Sequence, residues 1–152
     1  MTAAPNHRAS YFLIRLSCPV ALRGYHPPDH EPVLGTRLAD VDPEWISGYD
    51  LARDADLLIH DCQYTDDEYP EHIGWGHSGM GDALTFASRA GARRLLLFHH
   101  DPLHSDGFLD GLHEAARRRW RELGGDPALV GMGMEGEEGE ISPAPTAAPI
   151  PA

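Results

Sequence analysis

The chain has 152 residues, and its 24 acidic side chains outnumber its 12 basic ones, all of which are arginine. The formal net charge of -12 argues against strong binding to phosphate backbones, so we expect no large nucleic acid as a partner. No apolar run approaches the roughly 20 residues of a membrane-spanning helix, so we expect no membrane association. Two cysteines do not make a disulfide framework, which indicates a reducing compartment and predicts a cytoplasmic location.

The composition changes at both ends of the chain. Residues 1–8 are polar and are predicted to fray. Residues 142–152 are rich in proline and alanine and carry no charge, so they are predicted to form a disordered tail. The intervening residues, 9–141, are expected to form one partial domain.

The first sixty residues give few clear signals. Two apolar stretches, at residues 11–16 and 20–25, are predicted to form a hairpin. A helix is expected over residues 43–52. The continuous apolar run at residues 57–59 is typical of a strand that is buried on both faces.

Helices and strands alternate in the rest of the chain. Ser78 is the predicted N-cap of a helix that ends at Gly91. A strand over residues 94–98 follows, then a helix with Asp106 as its predicted cap, and a last strand over residues 129–134. Strands separated by helices indicate parallel crossovers, so the sequence predicts an α/β fold.

Three short strings hold six of the ten histidines, at residues 24–32, 57–64 and 97–104. Each string also contains Asp and extends past the end of a predicted strand. Functional groups gather at the carboxyl ends of parallel strands, so the three strings are expected to lie near one another. Imidazole and carboxylate together favour Zn²⁺, with Mn²⁺ or Fe as alternatives. His99 and His100 are adjacent, so continued strand geometry would let only one of them face a shared site. For any single histidine, a solvated loop position is the alternative.

Three segments carry a family resemblance: PDHEP at 28–32, ADLLIHDCQYTDDEYPE at 55–71 and GWGHSGMGDALTFASRAGARRLLLFHHDP at 74–102. In order and spacing they resemble the C-terminal half of the metallo-β-lactamase-fold hydrolases. The most similar branch contains the tRNA 3′-processing endonucleases and related bacterial phosphodiesterases. The resemblance implies a metal-dependent hydrolase with a metallo-β-lactamase-like αβ/βα sandwich, of which this chain would supply the C-terminal half.

The resemblance also implies roles for particular residues. Asp29 corresponds to a carboxylate that bridges two metal ions, and His99 to a metal-binding histidine after a final strand. Asp61 corresponds to a position behind the metal ligands or in a proton relay. His77 is expected to protonate the leaving group or to steady the phosphate. The other residues expected near the site are Ser78, as a substrate contact, and, behind the ligands, His30, His60 and His100. For His60 and His100 the surface is the alternative position.

Some features leave alternatives open. Asp29 lies beside prolines and also fits a turn, and Asp61 also fits a capping position. The family's His-x-His-x-Asp-His motif is absent, since no two histidines of the chain are two residues apart. A hydrolytic zinc site normally has three protein ligands and a water. We therefore expect a truncated enzyme, from a gene fragment or a frameshift, that is weak or inactive alone.

The leading hypothesis is a phosphodiesterase-type metallo-hydrolase that acts on a small-molecule phosphoester. One alternative is a non-catalytic remnant or interaction subunit of the same fold, which would pair through an exposed sheet face, as in a homo-oligomer. The other alternative is an esterase or thioesterase on this fold. Metal content and hydrolysis of a generic phosphodiester distinguish these hypotheses.

Overall fold

A computed structural model describes residues 29–134 in full and the backbone alone of residues 13–15, 24–25 and 138–140. The predicted frayed start at residues 1–8 and the predicted tail at residues 142–152 lie outside the described residues. Among the described residues, no helix combines the length and the apolar character needed to cross a bilayer.

The described elements alternate in the order that the sequence predicted from residue 57 onward. The strands are β1 (Leu13–Arg15), β2 (Gly24–Tyr25), β3 (Leu57–Asp61), β4 (Leu95–Phe98), β5 (Val130–Met132) and β6 (Glu138–Glu140). The α-helices are α1 (Tyr49–Ala52), α2 (Met80–Arg89) and α3 (Asp106–Glu122). Short 3-10 helices cover Leu38–Asp40, Pro43–Trp45, Tyr69–Glu71 and Pro127–Leu129.

A parallel sheet with the strand order β2-β3-β4-β5 forms the centre of the fold. Helix α2 connects β3 to β4, and α3 connects β4 to β5. The last residue of β3, Asp61, lies opposite the last residue of β4, Phe98. Because the two strands are parallel and end together, the segments that follow them leave the sheet at the same edge.

Apolar side chains cover both faces of the central strands. All five residues of β3 are buried, as expected for a parallel strand inside an α/β fold. The main core joins the sheet to α2 and α3, and its largest fully buried side chains include Phe86, Leu58, Leu84, Leu95 and Leu97. The opposite face of the sheet carries a smaller cluster of Leu57, Ile59, Leu96 and Phe98.

The hairpin predicted over residues 11–25 is wrong. Strand β1 pairs in parallel with β6, and β2 pairs in parallel with β3, where Gly24 lies opposite Leu57. The hairpin prediction assumed that two neighbouring apolar stretches pair with each other. Here each strand pairs instead with a strand that is distant in sequence, and local patterning cannot reveal such a partner.

Helix α2 begins one residue later than predicted, because its N-cap is Gly79 and not Ser78. The hydroxyl of Ser78 donates instead to the backbone oxygen of His30. The capping carboxylate comes from elsewhere in the chain, since Asp66 Oδ1 accepts a hydrogen bond of 2.6 Å from the backbone N–H of Gly81. A distant side chain therefore satisfies the first turn of the helix.

Two other helix predictions differ in detail. Helix α3 is capped by Ser105 and not by Asp106, and the Ser105 side chain accepts from the backbone N–H of Phe108. The helix predicted over residues 43–52 is interrupted, because Gly48 has a left-handed conformation with a φ of 71°. The end of α2 is confirmed, since Gly91 follows its last turn with a φ of 70°.

Candidate metal centre

Four side chains converge beyond the carboxyl ends of β3 and β4: Asp29, Asp61, His77 and His99. One potential ligand atom from each of them lies within 4.8 Å of the others. Asp61 ends β3, His99 directly follows β4, and His77 precedes α2. These are the residues for which the sequence motifs predicted metal-binding or catalytic roles, and their functional roles remain predictions.

Asp61 holds both imidazoles of this cluster. Its side chain is fully buried, and Oδ2 accepts from His77 Nδ1 at 2.9 Å and from His99 Nδ1 at 2.8 Å. Its other oxygen, Oδ1, accepts from the backbone N–H groups of Ser78 at 2.7 Å and Gln63 at 3.3 Å. An ionised carboxylate only accepts hydrogen bonds, so both rings carry a proton on Nδ1. The Nε2 atom of each ring is thereby left as an acceptor or a metal ligand.

His99 reaches the cluster through an unusual backbone conformation. Strand β4 ends at Phe98, and His99 has a φ of 62°, which few non-glycine residues adopt. Its hydrogen bond to Asp61 raises the pKa of His99 above the ordinary value, against the opposing effect of partial burial. One member of the adjacent pair therefore joins the cluster. The sharp turn after β4 brings His99 into the cluster. The prediction from sequence instead assumed that the alternation of the strand continues through His99 and His100.

His100 turns to a different environment. Its Nδ1 lies 3.2 Å from the backbone oxygen of Cys62, and burial lowers its pKa, which favours the neutral imidazole. Cys62 is itself fully buried, and burial raises the pKa of its thiol well above the ordinary range, so it is not poised to bind metal as a thiolate.

Asp29 is the most accessible member of the cluster. Its side chain is 67% exposed, and Oδ1 lies 3.6 Å from Nδ1 of His99. It makes a long ion-pair contact and, unlike Asp61, is not enclosed by the core. A carboxylate in this position can turn toward a cation or a substrate.

The cluster fits a divalent cation by its chemistry. Two imidazoles and a carboxylate are ligands of zinc enzymes, and a buried carboxylate that fixes the histidines through Nδ1 is their common support. In a tetrahedral zinc site, two nitrogen or oxygen ligands lie roughly 3.4 Å apart. The donor atoms of the cluster lie within 4.8 Å of one another, so the side chains would have to move closer together to hold one ion.

His30 and His60 lie behind the cluster and are buried. His30 Nδ1 is 2.9 Å from His60 Nε2, while His30 Nε2 faces the backbone oxygen of Ser47 and His60 Nδ1 faces that of Asp61. Burial lowers the pKa of both residues, and that of His60 to about 4. Two neutral imidazoles carry two N–H groups, so they satisfy two of these three contacts at a time. His60 is therefore not at the surface, which was one of its two predicted positions.

Ser78 is also fully buried. Its backbone N–H donates to Asp61, and its hydroxyl donates to the backbone oxygen of His30. In this arrangement its hydroxyl connects the segment before α2 to the segment that carries Asp29. The substrate contact predicted for Ser78 remains a prediction.

Glu31 is a supporting residue that the sequence analysis did not identify. Its carboxylate accepts from the backbone N–H groups of Gly74 at 2.9 and 3.0 Å and Gly76 at 2.9 Å, and from the Tyr69 hydroxyl at 2.8 Å. Both glycines have a positive φ, of 86° and 89°, so the turn needs residues without a side chain. Glu31 therefore ties the turn before His77 to the segment of Asp29. The two glycines in GWGH were the only sequence signal of this turn.

Residues 28–100 match a family model described as a beta-lactamase superfamily domain. The matched stretch contains all four residues of the cluster together with β3, α2 and β4. The match confirms the family resemblance predicted from the sequence, and the parallel sheet confirms the predicted α/β fold class.

Several curated relatives are Ribonuclease Z proteins. The one from Salinibacter ruber is 38% identical over 79 residues, which are 52% of this chain and 24% of that protein. The one from Kineococcus radiotolerans is 35% identical over 105 residues, or 60% of this chain and 33% of that protein. The one from Myxococcus xanthus is 43% identical over 53 residues, or 35% of this chain and 17% of that protein. The chain thus spans about a third of these relatives or less.

Proposed function

We propose that this chain carries part of the active site of a metal-dependent hydrolase that cleaves phosphodiester-type bonds. The observation that supports this proposal best is the buried Asp61, which orients His77 and His99 beside the exposed carboxylate of Asp29. A purely structural carboxylate has no need to align two half-buried imidazoles next to a second carboxylate. The relatives named Ribonuclease Z support the phosphodiester as the bond that is cleaved.

Each residue of the cluster has a distinct task in this proposal. When bound, a divalent ion supplies a Lewis acid for the phosphoryl oxygens and lowers the pKa of a bound water. Asp29 and Nε2 of His99 would hold that ion, with zinc as the first expectation and manganese or iron as alternatives. Asp61 keeps both rings in one tautomer, and His77 would take up a second proton at Nε2 from solvent and donate that proton to the leaving oxygen.

The charge of the chain favours a small phosphoester as the substrate. Twenty-four acidic and twelve basic residues give this chain little electrostatic attraction for a polyanion. RNA is the second candidate, because the relatives are named as ribonucleases. We further propose a cytoplasmic location, which the sparse use of cysteine supports.

Metal content and hydrolysis test the proposal together. The purified chain, loaded with Zn²⁺ or Mn²⁺ and dialysed, is expected to retain metal and to hydrolyse bis(p-nitrophenyl) phosphate slowly, because it carries only part of the active site. His99→Ala is expected to remove turnover and to lower metal affinity at least as much as the loss of a residue that supports a ligand, which costs about 10- to 100-fold. His113→Gln is the matched control, because His113 lies on α3 and contacts the backbone oxygen of Val130 through Nε2.

Each alternative predicts a different outcome of the same experiment. A chain that retains no metal and shows no turnover would contradict the proposal and support a non-catalytic remnant or interaction subunit. Hydrolysis of a thioester without hydrolysis of a phosphodiester would support an esterase or thioesterase. Turnover of a 2′,3′-cyclic nucleotide but not of a short RNA would support the small substrate, and the reverse would support RNA.

A further inference from the structure

Trp75 exposes a large aromatic surface on the turn that leads to His77 of the candidate metal centre. Its residue surface is 66% exposed, although it lies only two positions before His77 in the chain. The core of the protein contains a different tryptophan, Trp120, which is 4% exposed. A single exposed indole is common on protein surfaces, but this one lies on the turn that leads to His77, where a ligand of the site could cover it.

The turn that carries Trp75 is held firmly. Glu31 accepts from the backbone N–H groups on both sides of Trp75, those of Gly74 and Gly76. The backbone N–H of Trp75 donates to the backbone oxygen of His72 at 3.1 Å. The backbone that carries the indole is therefore held in place before any ligand arrives, which lowers the entropy lost on binding.

Aromatic rings support the indole from beneath. Tyr64, which is 3% exposed, stacks on His72 with ring centroids 4.1 Å apart, and His72 meets Trp75 at 4.9 Å in a nearly perpendicular arrangement. Tyr64 also contacts the ring of His77, at 6.3 Å. Tyr64 thus contacts His77 directly and supports Trp75 through the ring of His72.

Trp75 lies between two glycines, which add no side chains to the turn. Apart from atoms of the adjoining residues, a Cβ atom added at Gly74 or Gly76 would meet no atom within 4 Å. The two glycines are needed for their positive φ, and they keep the turn on both sides of Trp75 free of further side chains. Aromatic stacking requires no positive charge, so it suits a binding site in a chain with a net charge of -12.

We propose that Trp75 is a specificity-determining residue that stacks on a nucleobase of the substrate, next to the phosphodiester at the metal centre. This inference rests on the proposed function and narrows its substrate class to phosphodiesters that carry a nucleobase. The base could belong to a free nucleotide or to the end of an RNA strand. Stacking of this kind is tolerant of base identity, so we expect little discrimination among bases.

Fluorescence tests the stacking without any catalysis. Adenosine 5′-monophosphate is expected to quench the tryptophan emission of the Trp45→Phe variant and to leave that of the Trp75→Phe variant unchanged. Trp45 is the matched control, since it is 74% exposed but lies in the 3-10 helix Pro43–Trp45. Ribose 5-phosphate, which lacks the base, is expected to quench neither variant. Equal quenching of the two variants would overturn the role of Trp75. The absence of quenching in the unmodified chain, with adenosine monophosphate and also with a short RNA, would overturn it as well.

Kinetics give a second, independent measurement on the metal-loaded chain. Trp75→Leu is expected to raise KM for thymidine 5′-p-nitrophenyl phosphate about tenfold, with kcat nearly unchanged. The KM for methyl p-nitrophenyl phosphate, which has the same leaving group and no base, is expected to stay the same. Trp75→Phe is expected to recover part of the loss, and Trp45→Leu to change neither substrate. An equal rise for both substrates would contradict base stacking.

The two proposals can fail separately. Quenching through Trp75 in a chain without hydrolytic activity would support the base-binding site and contradict the proposed reaction. Hydrolysis without any effect of Trp75 would support the reaction and overturn the base-binding site. Quenching by adenosine monophosphate identifies a free nucleotide as a sufficient ligand, whereas quenching by a short RNA alone identifies a strand end.

Discussion

Glu31 holds the turn before His77 through hydrogen bonds from Gly74, Gly76 and Tyr69. Nothing in its sequence position predicts this role, because its partners lie about forty residues later in the chain. The motifs around His77 and His99 identified residues with recognisable chemistry. They could not identify a carboxylate whose task is to accept hydrogen bonds from backbone N–H groups, since every residue except proline offers such a group.

We expect Glu31→Gln to weaken metal binding about tenfold, because an amide retains only one of the two accepting oxygens. Titration with Co²⁺, followed by its visible absorption, measures both the affinity and the coordination geometry. Glu71→Gln is the control, since Glu71 is exposed and lies in the adjacent 3-10 helix Tyr69–Glu71. An unchanged Co²⁺ affinity in Glu31→Gln would show that the turn does not depend on this carboxylate.

Asp82 makes the stability of the protein depend on pH. Burial, together with the nearby Asp66 carboxylate, raises its pKa from 3.8 to about 6, although Arg119 opposes the shift. An acid whose pKa is raised by folding destabilises the native state when it is ionised, so this effect is full above pH 6 and disappears below about pH 4.

We therefore expect Asp82→Asn to raise the free energy of unfolding by about 1 kcal/mol at pH 7.5. The gain is expected to shrink as the pH falls through 6 and to vanish near pH 4. Urea denaturation at a series of pH values measures this profile, with the exposed Asp67→Asn as the control. A gain that is independent of pH would mean that the carboxylate charge is not its cause.

At the scale of elements, the sequence predicted each strand or helix whose apolar residues form a local pattern. The strands have short apolar runs, and the helices have apolar residues at helical spacing. The elements predicted in this way are β3, α2, β4, α3 and β5. It failed where the outcome depends on distant partners. The hairpin was wrong because β1 and β2 pair with strands far along the chain. The predicted cap Ser78 was wrong because its hydroxyl donates to His30 while Asp66 caps the helix.

Two glycines in or next to helices are expected to respond in opposite ways to alanine. Gly91 has a φ of 70°, so Gly91→Ala forces a left-handed conformation and is expected to lower stability by about 1 kcal/mol. Gly111 lies within α3, is exposed and has no atom within 4 Å of an added Cβ. Gly111→Ala is therefore expected to raise stability by about 0.5–1 kcal/mol. Thermal unfolding of both variants measures the difference, and a loss of stability in Gly111→Ala would contradict the open surface of α3.

At the scale of the whole molecule, the negative charge determines how the protein meets its substrate. We propose residues 9–141 as the domain. Over all 152 residues, acidic side chains are twice as numerous as basic ones. A phosphodiester is also an anion, so long-range repulsion slows its approach to the site. Electrostatic repulsion between exposed charges is screened by salt.

We expect KM for an anionic phosphodiester to fall, on the order of twofold, when the ionic strength rises from low to physiological values. Steady-state kinetics of the metal-loaded chain in a salt series measures the effect. Proteins that bind nucleic acid through phosphate contacts show the opposite trend, because salt weakens their binding. A KM that rises with salt would therefore contradict the unfavourable field and favour an extended RNA contact.

The hydrogen bonds of Asp61 make the polarity of the whole site depend on one side chain. With a carboxylate at this position, both rings donate through Nδ1 and present a lone pair at Nε2. In Asp61→Asn, an amide group turned toward the rings would donate to both Nδ1 atoms and force the protons onto both Nε2 atoms. The edge that now suits a cation would then present two donors, which suit an anion. The replacement of one oxygen atom by an amide nitrogen would thus convert a candidate metal site into a candidate phosphate site.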